Sequence, residues 1–411
     1  MNQDAGKTRL ILFAGKGGTG KTSLAAATGC LSAAQGKRTL IISLDPAHSL
    51  SDAFDLDKSL LDLSGQPVEV AANLQIQEIN VNTAIEEYWD DVHNYISLLF
   101  HTAGLEEVVA DEVAVLPGME EICALLYINS YVKQNLYDAL ILDCAPTAES
   151  MRFVSMPTAL EWYMKKIFKL ERNLFKLARP LAKRITDLPL PDDAYFASIE
   201  KMFNGLKGID QILTDPARTT VRLVSNPEKM VLRETQRAFM YFCLYGLSVE
   251  AVILNRIWPD GMAGTLGAWA ERQNQYLETA RDYFQPVPIF QVPLQEHEIL
   301  GYDHLLTVGR ELYSQEDPLA LLYTAQPLAF VKQADQLSVR LHLPFAQKGE
   351  VELTKSGDEL IVQIGVFRKH IVLPHSFALA QPKRATFEGE HLIIEFSDTG
   401  RDSHEPKQAR A

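Results

Sequence analysis

The chain has 411 residues and a formal net charge of −14, with 47% hydrophobic and 22% charged residues. That length exceeds what one hydrophobic core usually serves, so two or three domains are expected, and no apolar run approaches the roughly 18 residues of a membrane span. The acidic excess argues against general nucleic-acid binding, which needs cations clustered over the docking face.

The first strand-like run begins at Leu10, which leaves no room for a signal peptide before it, so a cytoplasmic location is expected. Apolar runs at Leu10–Ala14, Thr39–Leu44, Ala139–Leu142, Val221–Ser225 and Val249–Leu254 alternate with longer helical stretches. This alternation predicts an α/β fold with a doubly wound, mostly parallel sheet whose ligands gather at the C-terminal strand ends. Helical insertions are expected at about 85–133 and 158–213, within a first domain spanning residues 1–320. After Asp317-Pro318 the texture changes to short alternating runs: Leu337–Leu343, Gly349–Leu353, Glu359–Ile364, His370–Leu373 and Leu392–Phe396. These predict a small all-β sandwich over residues 325–398. The tail, 399–411, lacks apolar content and is expected to be disordered. Cys30, Cys123, Cys144 and Cys243 lie far apart with no CxxC pair, which points to reduced structural thiols and to no zinc.

The strongest chemical signal is Gly15-Lys16-Gly17-Gly18-Thr19-Gly20-Lys21-Thr22, followed by Ser23, which meets the GxxxxGK[ST] pattern between a strand and a helix. Glycines let backbone N–H groups close around a β-phosphate, and the positive end of the following helix adds its partial charge. Lys21 is expected to reach the β- and γ-phosphates of ATP or ADP. The Thr22 hydroxyl is the expected Mg²⁺ ligand, and Asp143, at the end of its strand, is expected to hold that ion through water. A lysine directly after the first glycine, Lys16, resembles the deviant loop of the MinD, nitrogenase-iron-protein and ArsA group. That resemblance implies a homodimer in which Lys16 crosses to the partner's nucleotide and acts as an arginine finger would.

Within that group, Asp45-Pro46-Ala47-His48-Ser49-Leu50-Ser51-Asp52 resembles the first switch of the ArsA and guided-entry targeting ATPases. The resemblance implies that Asp45 orients or activates the attacking water; His48 is assigned no chemistry. Asp143-Cys144-Ala145-Pro146-Thr147-Ala148-Glu149-Ser150-Met151-Arg152 is similar to the family's second switch, DTAPTGHTLR. It departs at Cys144, Ala148 and Glu149, so hinge freedom at Ala148 is expected to be reduced and any role of the family's histidine is absent. Ser225-Asn226-Pro227-Glu228 and Leu254-Asn255-Arg256 look like the family's base-proximal segments, which makes Asn255 the expected adenine contact, with Asn226 beside it and Pro293 packing nearby. Pro117-Gly118-Met119-Glu120-Glu121 resembles the family's PGIDE segment. The resemblance spans roughly residues 8–315, a single ATPase unit. Arsenite-pump ATPases are typically tandem duplications whose dispersed metalloid-binding cysteines have no clear counterparts here, and the CxxC of the eukaryotic targeting ATPases is absent too.

From Thr158 to Ile185 apolar residues recur at helical spacing, interleaved with Lys165, Lys166, Lys169, Arg172, Lys176, Arg179, Lys183 and Arg184, and Pro180 is expected to kink or end the first helix. This basic amphipathic segment is either a flap over an apolar client groove, a surface for anionic membranes or a membrane receptor, or a packed helix with a solvated face. Tyr88–Val115 could form the opposite groove wall. Leu360–Pro374 and Ala385–Ile394 resemble the α-crystallin domain of small heat-shock proteins, with edge strands able to pair with extended peptides. The expectation is a cytoplasmic, Mg²⁺-dependent ATPase and homodimer, whose nucleotide cycle exposes and hides an apolar surface for a hydrophobic or tail-anchored client. A pump subunit driven by arsenite is the alternative, and a nucleotide-sensing scaffold with little turnover is a third reading.

Overall fold

β1 (Arg9–Gly15) has every side chain buried. A strand with no solvent face must be covered by helices on both sides. The computed structural model describes residues 7–45, 49–56, 65–79, 118–168, 193–259, 264–333 and 336–397, together with a few positions within 92–98 and 170–175, Pro191, and residues 409–410. With β2 (Thr39–Ser43), β3 (Val68–Ala71), β4 (Leu74–Glu78), β5 (Ala139–Asp143), β6 (Thr219–Ser225), β7 (Ser248–Ile257) and β8 (Ile289–Pro293), β1 forms an eight-stranded sheet of order β3-β4-β2-β5-β1-β6-β7-β8. Only the β3–β4 pair is antiparallel. Leu10, Leu12, Leu140 and Leu142 fill the core on one face, and Ile11, Phe13, Ile141 and Val224 fill the other, as the two-residue side-chain period of a strand requires.

The five expected strands are all present, with ends shifted by a few residues; β3, β4 and β8, which lie toward the sheet edges, are additional. Among the described residues the helices are α1 (Lys21–Ala34), α2 (Ser49–Ala53), α3 (Met119–Gln134), α4 (Thr147–Tyr163), α5 (Asp193–Leu206), α6 (Ile209–Leu213), α7 (Lys229–Tyr245), α8 (Gly264–Phe284), α9 (Tyr302–Tyr313) and a short α10 (His375–Ala378). Met164–Phe168 continues α4 as a π-helical turn. Helices α3 to α6 supply the described parts of the two expected insertions. Most of Tyr88–Val115, and Lys169 and residues 176–190 with Pro180, lie outside the described residues. Of the expected basic face, Lys165 pairs with Glu161 at 2.6 Å, Arg172 with Glu200 at 2.6 Å, and Lys166 stands 3.9 Å from both Asp358 and Glu359. Those three cations therefore face carboxylates.

The C-terminal region is an antiparallel sandwich. β9 (Leu328–Gln333), β10 (Gln336–His342), β14 (Gln381–Glu388) and β15 (His391–Ser397) form one sheet in the order β14-β15-β10-β9. β11 (Val351–Ser356), β12 (Glu359–Ile364), β13 (Phe367–Val372) and β16 (Ala409–Arg410) form the other, in the order β13-β12-β11-β16. Within the tail expected to be disordered, Ala409 and Arg410 pair with Leu353 and Glu352, because backbone ladder bonds need no apolar side chain; the rest of the tail lies outside the described residues.

The sandwich does not stand apart from the ATPase-like domain. Met240 and Leu244 of α7 belong to its core, and Tyr241 lies 4.2 Å from the Phe367 ring. On α4, Thr158 Oγ1 accepts a 3.0 Å hydrogen bond from Lys369 Nζ, whose pKa is lowered by burial. The connecting segment is held by a buried charge cluster: Glu250 accepts from Arg9 Nη2 and Arg222 Nε, each at 2.8 Å, while Arg9 and Arg222 also donate to the carbonyls of Leu319 and Ala320.

Candidate functional site

The loop Gly15–Gly20 leaves β1 and enters α1, so the first-turn amides of α1 face the C-terminal edge of the sheet. Two glycines are fixed by close approach: a Cβ at Gly15 would overlap the Val224 carbonyl, and one at Gly20, whose φ is 94°, would overlap Asn255 Nδ2. Thr19 Oγ1 donates to Lys16 O at 2.8 Å, and the buried Lys21 extends its Nζ to within 3.4 Å of the same carbonyl. Gly17 and Gly18 are exposed at the loop tip, and Ser23 is half-buried in the first turn of α1. The Lys16 side chain is 38% exposed, and its Nζ lies 3.9 Å from Glu234 of α7, a residue that nothing in the motif signalled.

Asp143 ends β5 at 0% exposure, and neither carboxylate oxygen has a hydrogen-bond partner among the described residues. Burial pushes its pKa up to about 7, opposed by the Thr22 hydroxyl and the Lys21 charge and reinforced by Asp45. Thr22 Oγ1 is 3.1 Å from Ser49 Oγ at the start of α2. A buried carboxylate beside the Thr22 hydroxyl and close to the phosphate-type loop is a hard-oxygen donor set, and these residues fit a Mg²⁺ ion bound with nucleotide phosphate. Asp45 is half-buried just after β2, its N–H donating to Ser43 Oγ at 3.3 Å. Ser51 N donates to Glu78 Oε1 at 2.9 Å, which ties α2 to the end of β4. Pro46, Ala47 and His48 lie outside the described residues.

In the second switch segment, Cys144 N donates to Phe13 O at 3.0 Å, and Ser150 Oγ to Ala145 O at 2.6 Å. Ala148 and Glu149 lie in the first turn of α4. Helical backbone there needs no glycine, and an acidic side chain suits the positive end of the helix. The Thr147 hydroxyl is buried with no hydrogen-bond partner among the described residues, and its only sequence signal was its place in the Ala-Pro-Thr run.

Of the three residues assigned to the base, two are in direct contact. Pro293 is exposed at the end of β8, and Asn226 at the end of β6 donates through Nδ2 to Asn255 O at 3.2 Å. Asn255 points its carboxamide at the loop instead: Nδ2 donates to Thr19 O at 2.8 Å, and Oδ1 accepts from Arg256 N at 2.9 Å.

A cavity of about 780 Å³ opens at the far end of α4, between Pro157, Leu160, Met164 and Phe168 on one side and Phe203, Leu206 and Ile209 on the other. Its rim carries Lys165, Arg172, Glu200 and Lys207. All four cysteines are free and buried, and burial raises each thiol, Cys30 and Cys123 to about 12.

A parallel sheet with a glycine-rich loop between β1 and α1 defines an α/β protein of the P-loop type. The chain belongs to the anion-transporting ATPase family: the model of that family matches residues 8–314, and the model of an HSP20-like domain found in ArsA proteins matches residues 334–396. It is 45% identical over 392 residues to "Putative arsenical pump-driving ATPase 1" of Aquifex aeolicus, covering 94% of this chain and 99% of that one. It is 39% identical to a like-named protein of Chlorobaculum tepidum, covering 94% and 96%. "ATPase ASNA1 homolog 2" of Paramecium tetraurelia is 27% identical over 72% of this chain and 90% of its own length. The protein is therefore an ATPase with an HSP20-like sandwich. No described helix is long and apolar enough to cross a membrane.

Proposed function

We propose that this ATPase acts as a homodimer whose ATP cycle controls the holding of a hydrophobic client, such as a tail-anchored membrane segment. The supporting observation is α4. It starts at Thr147, four residues after Asp143, and ends in the π-helical turn that walls the cavity. Its 17 residues span roughly 25 Å at 1.5 Å per residue. One continuous helix, with Pro157 inside it, thus joins the phosphate end of the sheet to an apolar groove with a charged rim.

In this reading the amides of Gly17–Thr22 and the Lys21 ammonium hold the ATP phosphates. Thr22 and, through water, Asp143 hold Mg²⁺, which supplies charge neutralisation on the transferring phosphoryl group. Asp45 orients the attacking water and accepts its proton. Asn226 and Pro293 flank the base. Lys16, half-exposed beside Glu234, is free to leave that weak surface pair and reach the partner subunit's nucleotide.

The test combines ATPase turnover with light-scattering mass, with and without a tail-anchored peptide in detergent-free buffer. A dimer that keeps the peptide soluble is the expected outcome for the wild type. Asp45→Asn keeps dimer and peptide while losing turnover, and Lys16→Ala loses turnover while retaining ATP binding. The names of the Aquifex and Chlorobaculum relatives favour a second reading, a pump-driving subunit. Arsenite-stimulated turnover that disappears in the Cys123→Ser, Cys144→Ser double variant, with the peptide ignored, would establish it in place of the first.

A further inference from the structure

We infer that Asn255 is a positioning residue for the phosphate loop, a strut that sets the loop's shape whichever base the nucleotide carries. This rests on the assignment of Gly15–Thr22 as the phosphate site.

The side chain is 4% exposed, and both ends of its carboxamide are engaged. Nδ2 donates to Thr19 O at 2.8 Å, which fixes the peptide leading into Gly20 and Lys21. Oδ1 accepts from Arg256 N at 2.9 Å, and Arg256 has φ 59°, a left-handed conformation that a non-glycine residue holds only when its surroundings impose it. Asn255 O accepts from Asn226 Nδ2 at 3.2 Å, so the ends of β6 and β7 are joined beneath the loop. Gly20 completes the arrangement, because any side chain there would occupy the volume of Asn255 Nδ2. An amide that supplies one donor and one acceptor is the side chain such a strut requires: aspartate loses the donor, and leucine loses both. With one N–H given to Thr19 O and one oxygen lone pair to Arg256 N, the orientation of this carboxamide is set by the loop, and that tie holds whether or not its second N–H and second lone pair meet a base.

The two roles separate with a ligand that has phosphates and no base. Mg²⁺-tripolyphosphate and Mg²⁺-ATP are titrated calorimetrically into the full-length wild type, Asn255→Ala and Asn255→Asp. A strut predicts that Asn255→Ala weakens both ligands by about the same factor, tenfold or more, because an unsatisfied buried carbonyl and a relaxed loop affect phosphate binding as such. Asn255→Asp keeps the acceptor for Arg256 N and so guards against a fold defect. It is expected to lose both ligands at pH 8 and, measured against the wild type at the same pH, to recover both in parallel as the pH falls and its carboxyl gains a proton to donate to Thr19 O. If either variant binds tripolyphosphate like the wild type while losing ATP, Asn255 reads the base and the inference is overturned. If the wild type binds neither ligand, the phosphate-site assignment itself fails.

Discussion

Glu250 joins two buried arginines and the segment that leads to the sandwich. Its carboxylate is fully buried and takes two guanidiniums, Arg222 Nε and Arg9 Nη2, each at 2.8 Å, and Leu322 N at 3.2 Å. Glu250→Ala leaves Arg222, itself at 0% exposure, with Tyr313 Oη at 2.6 Å and the Ala320 carbonyl at 3.4 Å but no counter-charge. Arg9, whose pKa burial already lowers to about 10 against the pull of Glu250, retains Thr220 and three carbonyls. Removing one partner of a buried pair costs about 3–5 kcal/mol, so about 4 kcal/mol is expected, or roughly 8 °C of melting temperature at about 2 °C per kcal/mol for a domain of this size. Differential scanning calorimetry at pH 7 reads the shift, and limited proteolysis should show the 315–327 connection released. The Arg222→Met, Glu250→Met double variant is expected to be milder than Glu250→Met alone, because it removes the stranded charge along with its partner. A shift below about 2 °C for Glu250→Ala, or a double variant as damaging as the single, would refute the reasoning.

Asp143 gives a pH signature. Its folded pKa is raised to about 7 from 3.8, so the nucleotide-free protein gains stability as pH falls from about 7 toward 4, and Asp143→Asn should abolish that part of the melting-temperature profile. Because Mg²⁺ needs the carboxylate, Mg²⁺-ATP binding at pH 6 should release a proton in the wild type and none from this site in Asp143→Asn, measured by calorimetry in buffers of different ionisation enthalpy. Leu244→Ala, which opens a cavity in the sandwich core from the ATPase side, should cost about 2–5 kcal/mol and lower hydrogen-exchange protection in β10 and β15 as well as in α7.

The central sheet was legible because β1, β2 and β5 are nearly continuous apolar runs, and a strand covered on both faces reads that way. β4, Leu-Gln-Ile-Gln-Glu, and β8, Ile-Phe-Gln-Val-Pro, are short and carry polar residues at the sheet margin, so their pattern merges with that of the loops around them. The phosphate loop could be read because its spacing is local. Its supports could not: Asn255 reaches Thr19 across 236 positions, and Arg222 meets Glu250 from the neighbouring strand. In sequence, Arg222 and Glu250 look like the outward residues of alternating strands, and only the covering by α9 and the connecting segment turns them inward. The docking of the sandwich on α4 and α7 was likewise invisible, since Met240 and Leu244 fit an ordinary apolar stripe of their own helix.

Helix α4 has three neighbours that matter: the Asp143 end of the sheet, the cavity and the sandwich through Thr158. Where one element touches three surfaces, any coupling between their equilibria is reciprocal by linkage. Whatever factor a nucleotide applies to occupancy of the cavity, an occupant must return to nucleotide affinity unchanged. The sandwich enters the same account, so a ligand that shifts its seating on α4 would be felt as a change in how tightly ATP is held, without touching the phosphate loop.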